Sequence, residues 1–313
     1  MTPLPISARE RRLAYVAWIV VCVVWGTTYL AIRVSLESIP VFLLAGIRWS
    51  AAGVLLSALL PVFGDRLPPP RTWGSIAIAG FLMAVIGNGG VVWAEQYVAS
   101  GLAAVVVAMV PFWTVLVEAV LPSGERLKRR TLIGLAIGFL GIVVLVWPQL
   151  QLGGSEGRLF VLGVVSLQIA CFGWAIGTSY TKRNARTASP LGASAMQMIL
   201  SGGMLLAIAT AMGEWSQLAF TTRTASAMVY LVVVGSIVGY SAYVYALKYL
   251  PVSTVSLYAY VNPIIAVILG TLILSEPFSL RIVIAAAMVF AGIGVVRSLP
   301  KAAASTEPAR RAA

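Results

Sequence analysis

Ten runs of predominantly apolar residues, each about as long as a helix that crosses a bilayer, divide this chain and leave little sequence for anything else. A spanning helix takes about 20 such residues. That measure places runs at roughly 13–33, 40–60, 73–93, 100–121, 131–148, 159–180, 190–212, 226–247, 252–274 and 281–298. Backbone polar groups in hydrocarbon must be satisfied within the protein, so runs of this kind fold as helices. Turn chemistry separates them at Pro40, Pro68-Pro69-Pro70, Pro122-Ser123-Gly124, Gly153-Gly154-Ser155, Pro190 and Pro251. Of the 313 residues 60% are hydrophobic and 10% charged, against about 25% charged in soluble chains. The expected fold is an all-α integral membrane protein with ten transmembrane helices. Arg9, Arg11 and Arg12 precede the first run as they would in a signal peptide. The run is longer than a signal h-region and shows no small-x-small cleavage site, so it is read as the first span.

The net charge of +12 could suggest a nucleic-acid partner. The basic residues, however, sit in short caps between the apolar runs, which fits a membrane surface and excludes nucleic acid. Of the 22 Lys and Arg residues, all but Arg33, Arg48, Arg158, Arg223 and Arg281 lie in the two termini or in the second, fourth, sixth and eighth loops. The positive-inside rule therefore puts both termini in the cytoplasm. Losing one helix from the count would scramble the alternation.

Shifting the chain against itself by about 150–152 residues brings its halves into register. Gly26-Thr27-Thr28-Tyr29 meets Gly177-Thr178-Ser179-Tyr180, Pro40 meets Pro190, and Ala94 and Tyr97 meet Ala246 and Tyr249. Pro111 meets Pro263, Glu125 meets Glu276, Arg130 meets Arg281, and Gly141-Ile142 meets Gly292-Ile293. Each repeat holds five spans, an odd number, so the second enters the membrane upside down relative to the first. Inverted repeats recur in secondary transporters, whose two halves rock about a site near the midplane. The expected organisation is a cytoplasmic N-terminus at 1–12, a first repeat at 13–148, a linker at 149–158, a second repeat at 159–298 and a disordered cytoplasmic tail at 299–313.

The residues present exclude much chemistry. There is no histidine, which removes Ser-His-Asp and Cys-His nucleophiles and imidazole metal sites. Cys22 and Cys171 lie in apolar runs and read as small buried groups. All ten acids, Glu95 and Glu118 among them, fall in tails, in loops or near span ends. No paired carboxylates are expected at depth for acid–base chemistry or proton coupling. No GxxxxGK[ST] loop points to ATP hydrolysis, no filter motif to a channel, and nothing to a cofactor. A transporter driven by its substrate gradient is the expectation, with proton coupling, a membrane-embedded enzyme or a channel as alternatives.

Trp25-Gly26, Arg48-Trp49 and the stretch from Gly101 through Pro111 to Gly124-Glu125-Arg126 are similar to the drug/metabolite transporter superfamily, in its ten-helix family with two EamA repeats. The second copy, from Ala246-Leu247-Lys248-Tyr249-Leu250-Pro251 to Asn262-Pro263 and Ser275-Glu276-Pro277, resembles it too. The resemblance covers about residues 13–298 and is strongest to bacterial amino-acid exporters of the YddG type. It implies export of amino acids, aromatic or other neutral ones, or of related small metabolites across the cytoplasmic membrane. The route implied is a central cavity lined mainly by helices 1, 3, 4, 6, 8 and 9. One departure stands out: relatives often carry Glu before the proline of the ninth helix, where this chain has Asn262.

The candidate substrate-binding residues are spread over six or more of the spans. Arg48 lies about 12 Å along the second helix from Pro40 at 1.5 Å per residue, and an Arg at that depth needs a cavity or a partner. It either recognises a substrate carboxylate or caps neighbouring carbonyls. Trp25 and Tyr29 share a face of the first helix with Thr28 beside them, and can line a pocket or simply pack. Asn88, within Gly87-Asn88-Gly89-Gly90, and Trp93 belong to the third helix, Trp113 to the fourth, and Gln168 and Trp174 to the sixth. Tyr240 and Tyr243 in the eighth helix, and Ser256, Tyr260 and Asn262 in the ninth, serve either substrate or interhelical hydrogen bonds. Pro111 and Pro263 remove backbone donors at matching points and are candidate hinges. Gly134, Gly138 and Gly141 in the fifth helix and Gly292 and Gly294 in the tenth allow close helix approach. A monomer in contact with lipid and a small-molecule substrate is expected, with a homodimer through these glycines as the alternative.

Overall fold

The computed structural model describes residues 7–121, 129–152, 154–184, 189–250, 255 and 258–297. It is all-helical. The spans are Ala8–Ser35, Val41–Leu59 with a short extension to Phe63, Pro70–Ala94, Ser100–Val120, Arg129–Leu152, Gly154–Asn184, Pro190–Ala211, Thr222–Tyr249, Tyr258–Leu274 and Leu280–Arg297. Seven carry long apolar windows, and the fifth, ninth and tenth carry shorter ones. The tail expected at 299–313 and the loop holding Glu125 lie outside the described residues.

Local chemistry sets the ends. Ser7 and Glu10 form a capping box at the start of the first helix, and Thr221 with Thr224 forms another before the eighth. Ser189 caps the seventh helix, with Pro190 in the first turn where its missing N–H costs nothing. Pro40 precedes the second helix, whose first amides are taken by a carboxylate from far along the chain: Glu214 accepts from Phe42 N–H at 3.2 Å and Leu43 N–H at 2.8 Å.

Two spans are not regular α-helices inside. The third is a π-helix over Phe81–Asn88 and the eighth over Leu231–Val238, stretches that correspond at an offset of 150 residues. The fourth span breaks at Ala108 and Met109, and Pro111 begins its second half, Val110–Val120. Pro263, its counterpart, lies inside a continuous helix. The two prolines are matched in sequence but not in conformation.

The packing follows the repeat. The first helix lies against the eighth and ninth, as the sixth lies against the third and fourth. The second packs on the seventh, the fifth on the tenth, and the fourth on the ninth. Exchanging each helix for the one five places later leaves this scheme unchanged. The closest approaches need glycine: a Cβ on Gly53 would lie 2.7 Å from Ile199 N in the seventh helix. A Cβ on Gly292 would strike the backbone of Gly134 and Gly138, so these glycines bring the fifth and tenth helices together within one chain. Outward-facing Val54, Val143, Ile169 and Leu272 form part of the apolar surface presented to lipid.

Candidate functional site

Helices 1, 2, 3, 8 and 9 converge on a cluster of aromatic rings around one guanidinium. Arg48 is 5% exposed. Its Nε donates to Ser236 Oγ at 3.1 Å and its guanidinium lies over the Trp49 ring at 5.2 Å, while Nη1 is buried with no partner. Trp49 Nε1 donates to Asn88 Oδ1 at 2.9 Å, and its ring meets Tyr240 edge-on at 5.9 Å. Trp25 stands between Tyr240, Tyr243 and Tyr258, with centroids at 5.7, 5.1 and 4.9 Å. The pairs with Tyr240 and Tyr258 are edge-on, one of the favourable arrangements of such rings, and the pair with Tyr243 is tilted.

The π-stretches position these groups. Trp25 Nε1 donates to the Gly235 carbonyl at 3.2 Å, a main-chain oxygen of the eighth helix that faces the first. Gly235 and Gly239 leave room for this contact: a Cβ on Gly239 would lie 2.5 Å from the indole nitrogen, and one on Gly235 would lie 3.0 Å from Thr28 Cγ2. Asn88, at the end of the other π-stretch, carries the acceptor for Trp49. Thr28 donates to the Trp25 carbonyl at 2.7 Å.

Of the residues singled out from sequence, Trp25, Thr28, Arg48, Asn88, Tyr240 and Tyr243 come together here. Asn262 is at the same junction. With its amide nitrogen turned toward them, it donates to the carbonyls of Cys22 and Tyr258, each at 3.0 Å, and so ties the ninth helix to the first. The others lie elsewhere. Tyr29 packs into the second large apolar core. Trp93 pairs with Tyr97 at 5.1 Å, Tyr260 packs on Phe290, and Trp174 covers Gly87. Trp113 Nε1 donates to Gln168 Oε1 at 2.8 Å, and both line a separate apolar groove of about 450 Å³ with Ile142, Val146, Val164 and Phe172. Ser256 lies outside the described residues.

Sequence reasoning missed Trp49, Ser236 and Tyr258 as site residues. Trp49 was legible only as the neighbour of Arg48 in the sequence, and Ser236 lies inside the π-stretch Leu231–Val238, where a spacing of 3.6 residues per turn does not apply. One acid is set apart by its packing. Glu95 does follow the Pro70–Ala94 span, yet packing leaves it 0% exposed. Burial and the nearby Glu276 carboxylate raise its carboxyl well above the ordinary range, against the opposing charges of Arg33 and Arg48.

Ten spans in two similar halves, with an aromatic cluster where helices of both halves meet, are the architecture of a membrane transporter. The comparisons agree. A model of the EamA-like transporter family matches residues 12–147 and 161–298, and the chain belongs to that family, within the drug/metabolite transporter superfamily. The chain is 36% identical over 252 residues to YedA, an uncharacterized inner membrane transporter of Escherichia coli K12, covering 80% of this chain and 79% of YedA. It is 28% identical to the chloroplastic WAT1-related protein At3g02690 of Arabidopsis thaliana, over 87% of this chain and 66% of that one. A probable amino-acid metabolite efflux pump of E. coli K12 matches at 29% over 53% of this chain and 52% of the pump. One crystal structure of a protein superposes with a TM-score of 0.63 at 21% identity, over 92% of this chain and 97% of the other, a likeness of fold. The protein is a multi-pass transporter of the inner membrane.

Proposed function

We propose that this transporter exports amino acids, aromatic or other neutral ones, and related small metabolites that carry a carboxylate, by alternating access between its two repeats. The observation that carries this reading is the buried Arg48 Nη1, which has no partner and belongs to a side chain set beside a cluster of aromatic rings. A buried guanidinium with an unused donor suits an anionic oxygen, to which charge-assisted hydrogen bonds are the strong ones. Trp25, Trp49, Tyr240, Tyr243 and Tyr258 suit the apolar body of such a substrate, with polar edges that fix its orientation. The name of the more distant E. coli relative, an amino-acid metabolite efflux pump, supports both the substrate class and the direction.

Counterflow in proteoliposomes tests it. Protein preloaded with unlabelled amino acids is offered radiolabelled phenylalanine, methionine, threonine or glutamate. Saturable accumulation above empty vesicles, competed by the free acid but not by its amide, is the expected result. No accumulation of any of them by correctly oriented protein would move the substrate to another metabolite or drug class.

A further inference from the structure

Of the glutamates at the outward ends of the helices, two hold the first amides of a distant helix. Glu214 accepts from two amides at the start of the second helix. Glu276, in the connection between the ninth and tenth helices, accepts from Ser100 N–H at 2.8 Å and Gly101 N–H at 3.1 Å at the start of the fourth. Each is an anion on a helix N-terminus, where backbone donors and the helix dipole favour the charge.

Glu95 is different. It is fully buried in the turn before the fourth helix, and neither carboxylate oxygen has a hydrogen-bond partner. Arg33 reaches this turn, but its Nη1 donates to the main-chain carbonyl of Glu95 rather than to the carboxylate. The groups facing it are Tyr29 and Arg33 from the first helix, Arg48 from the second and Glu276 from the ninth-to-tenth connection, with Tyr97 in its own turn. The sixth helix brings Gly163 against Val98, Ala94 and Tyr97 of this turn. The Ser100 hydroxyl is also buried without a partner. An ionised carboxylate in dry surroundings, unbonded and beside a second carboxylate, is disfavoured far more strongly than the neutral acid.

We propose that Glu95 is a proton-binding site, and that the outward ends of the first, third, fourth and ninth helices close over it only when it holds a proton taken from the outside. Closure joins one proton from external water to one carboxylate oxygen, and reopening returns that proton to external water. No other bond is made or broken. This site works whatever the substrate is, so it stands apart from the reading of Arg48.

Infrared difference spectroscopy on the full chain in lipid nanodiscs, titrated from mildly acid to mildly alkaline, tests the protonation. A carbonyl-stretching band of a buried carboxylic acid should be present at neutral pH and missing in Glu95→Gln. In Glu276→Gln, which keeps an acceptor oxygen for Ser100 and Gly101, the band's titration midpoint should fall by about one pH unit as the like charge is removed. Identical spectra for the parent and Glu95→Gln, or an unmoved midpoint in Glu276→Gln, would overturn the assignment. Gate closure is read from outside with a thiol reagent on Ala99→Cys, in protein whose Cys22 and Cys171 are replaced by alanine. Labelling should rise as external pH rises through the same midpoint, and stay low at every pH when Glu95→Gln is added. Labelling that ignores pH, or that keeps its pH dependence with Glu95→Gln, would sink the coupling to closure.

Discussion

The indole of Trp49 donates to the Asn88 side chain at 2.9 Å, tying the second helix to the end of the π-stretch in the third. That bond holds the ring over which the Arg48 guanidinium lies. Trp49→Phe keeps the contact with Tyr240 but leaves Asn88 without its donor. The expected cost is about 1–2 kcal/mol of stability, read from thermal unfolding in detergent. Asn88→Asp, which retains an acceptor, should lose less on that bond than Asn88→Leu.

Arg48→Lys preserves the charge but not the planar fork. Lysine cannot reproduce donation to Ser236 together with a free parallel N–H. Half-saturation for carboxylate substrates in counterflow should rise about tenfold, with normal amounts of folded protein. An unchanged value would remove Arg48 from the substrate's partners.

Gly239→Ala probes the approach of the first and eighth helices, since the added Cβ would lie 2.5 Å from Trp25 Nε1. Overpacking of this kind costs about 1–3 kcal/mol, and transport should fall as Trp25 is displaced. The double variant Trp25→Leu with Gly239→Ala should be more stable than Gly239→Ala alone. Thermal unfolding of the single and double variants measures the difference.

Glu214→Ala removes the acceptor for two amides of the second helix. Loss of a cap of this kind costs about 1 kcal/mol, and Glu214→Gln should cost less. Unfolding midpoints of the purified variants give the comparison.

Arg183 pairs with Glu118 at 3.0 Å near the cytoplasmic ends of the sixth and fourth helices, with side chains 34% and 28% exposed. A half-open pair is worth about 0–1 kcal/mol. Arg183→Ala should therefore leave unfolding nearly unchanged, and Glu118→Ala, which also strips the acceptor from Ser179, should cost more.

Much of the site was hidden in the sequence for a definite reason. A helical-face reading assumes 3.6 residues per turn. The π-stretches at Phe81–Asn88 and Leu231–Val238 widen the turn and rotate the residues beyond them about the helix axis. Tyr240 and Tyr243 were legible as a pair, but their meeting with Trp25 and Trp49 depends on that rotation. Trp113 and Gln168 stand out in the sequence as polar-tipped groups on helices 4 and 6. In the fold Trp113 donates to the Gln168 side-chain oxygen at a separate groove, and Gln168 Nε2 is left without a partner.

The spans, their alternation and the two-fold repeat belong to the sequence alone, because length, hydropathy and loop charge are summed over about 20 residues and survive any local error. Arg48, the one charge well inside a span, stands out against the same background. Only the tertiary structure decided that Glu95 is sealed while Glu276 is bonded, since both are loop acids in the sequence. The first is buried by the packing of four distant segments, and the second is met by the amides of a helix 175 residues away. Whether a carboxylate finds a donor is set by which helix end reaches it, and no local pattern of residues records that.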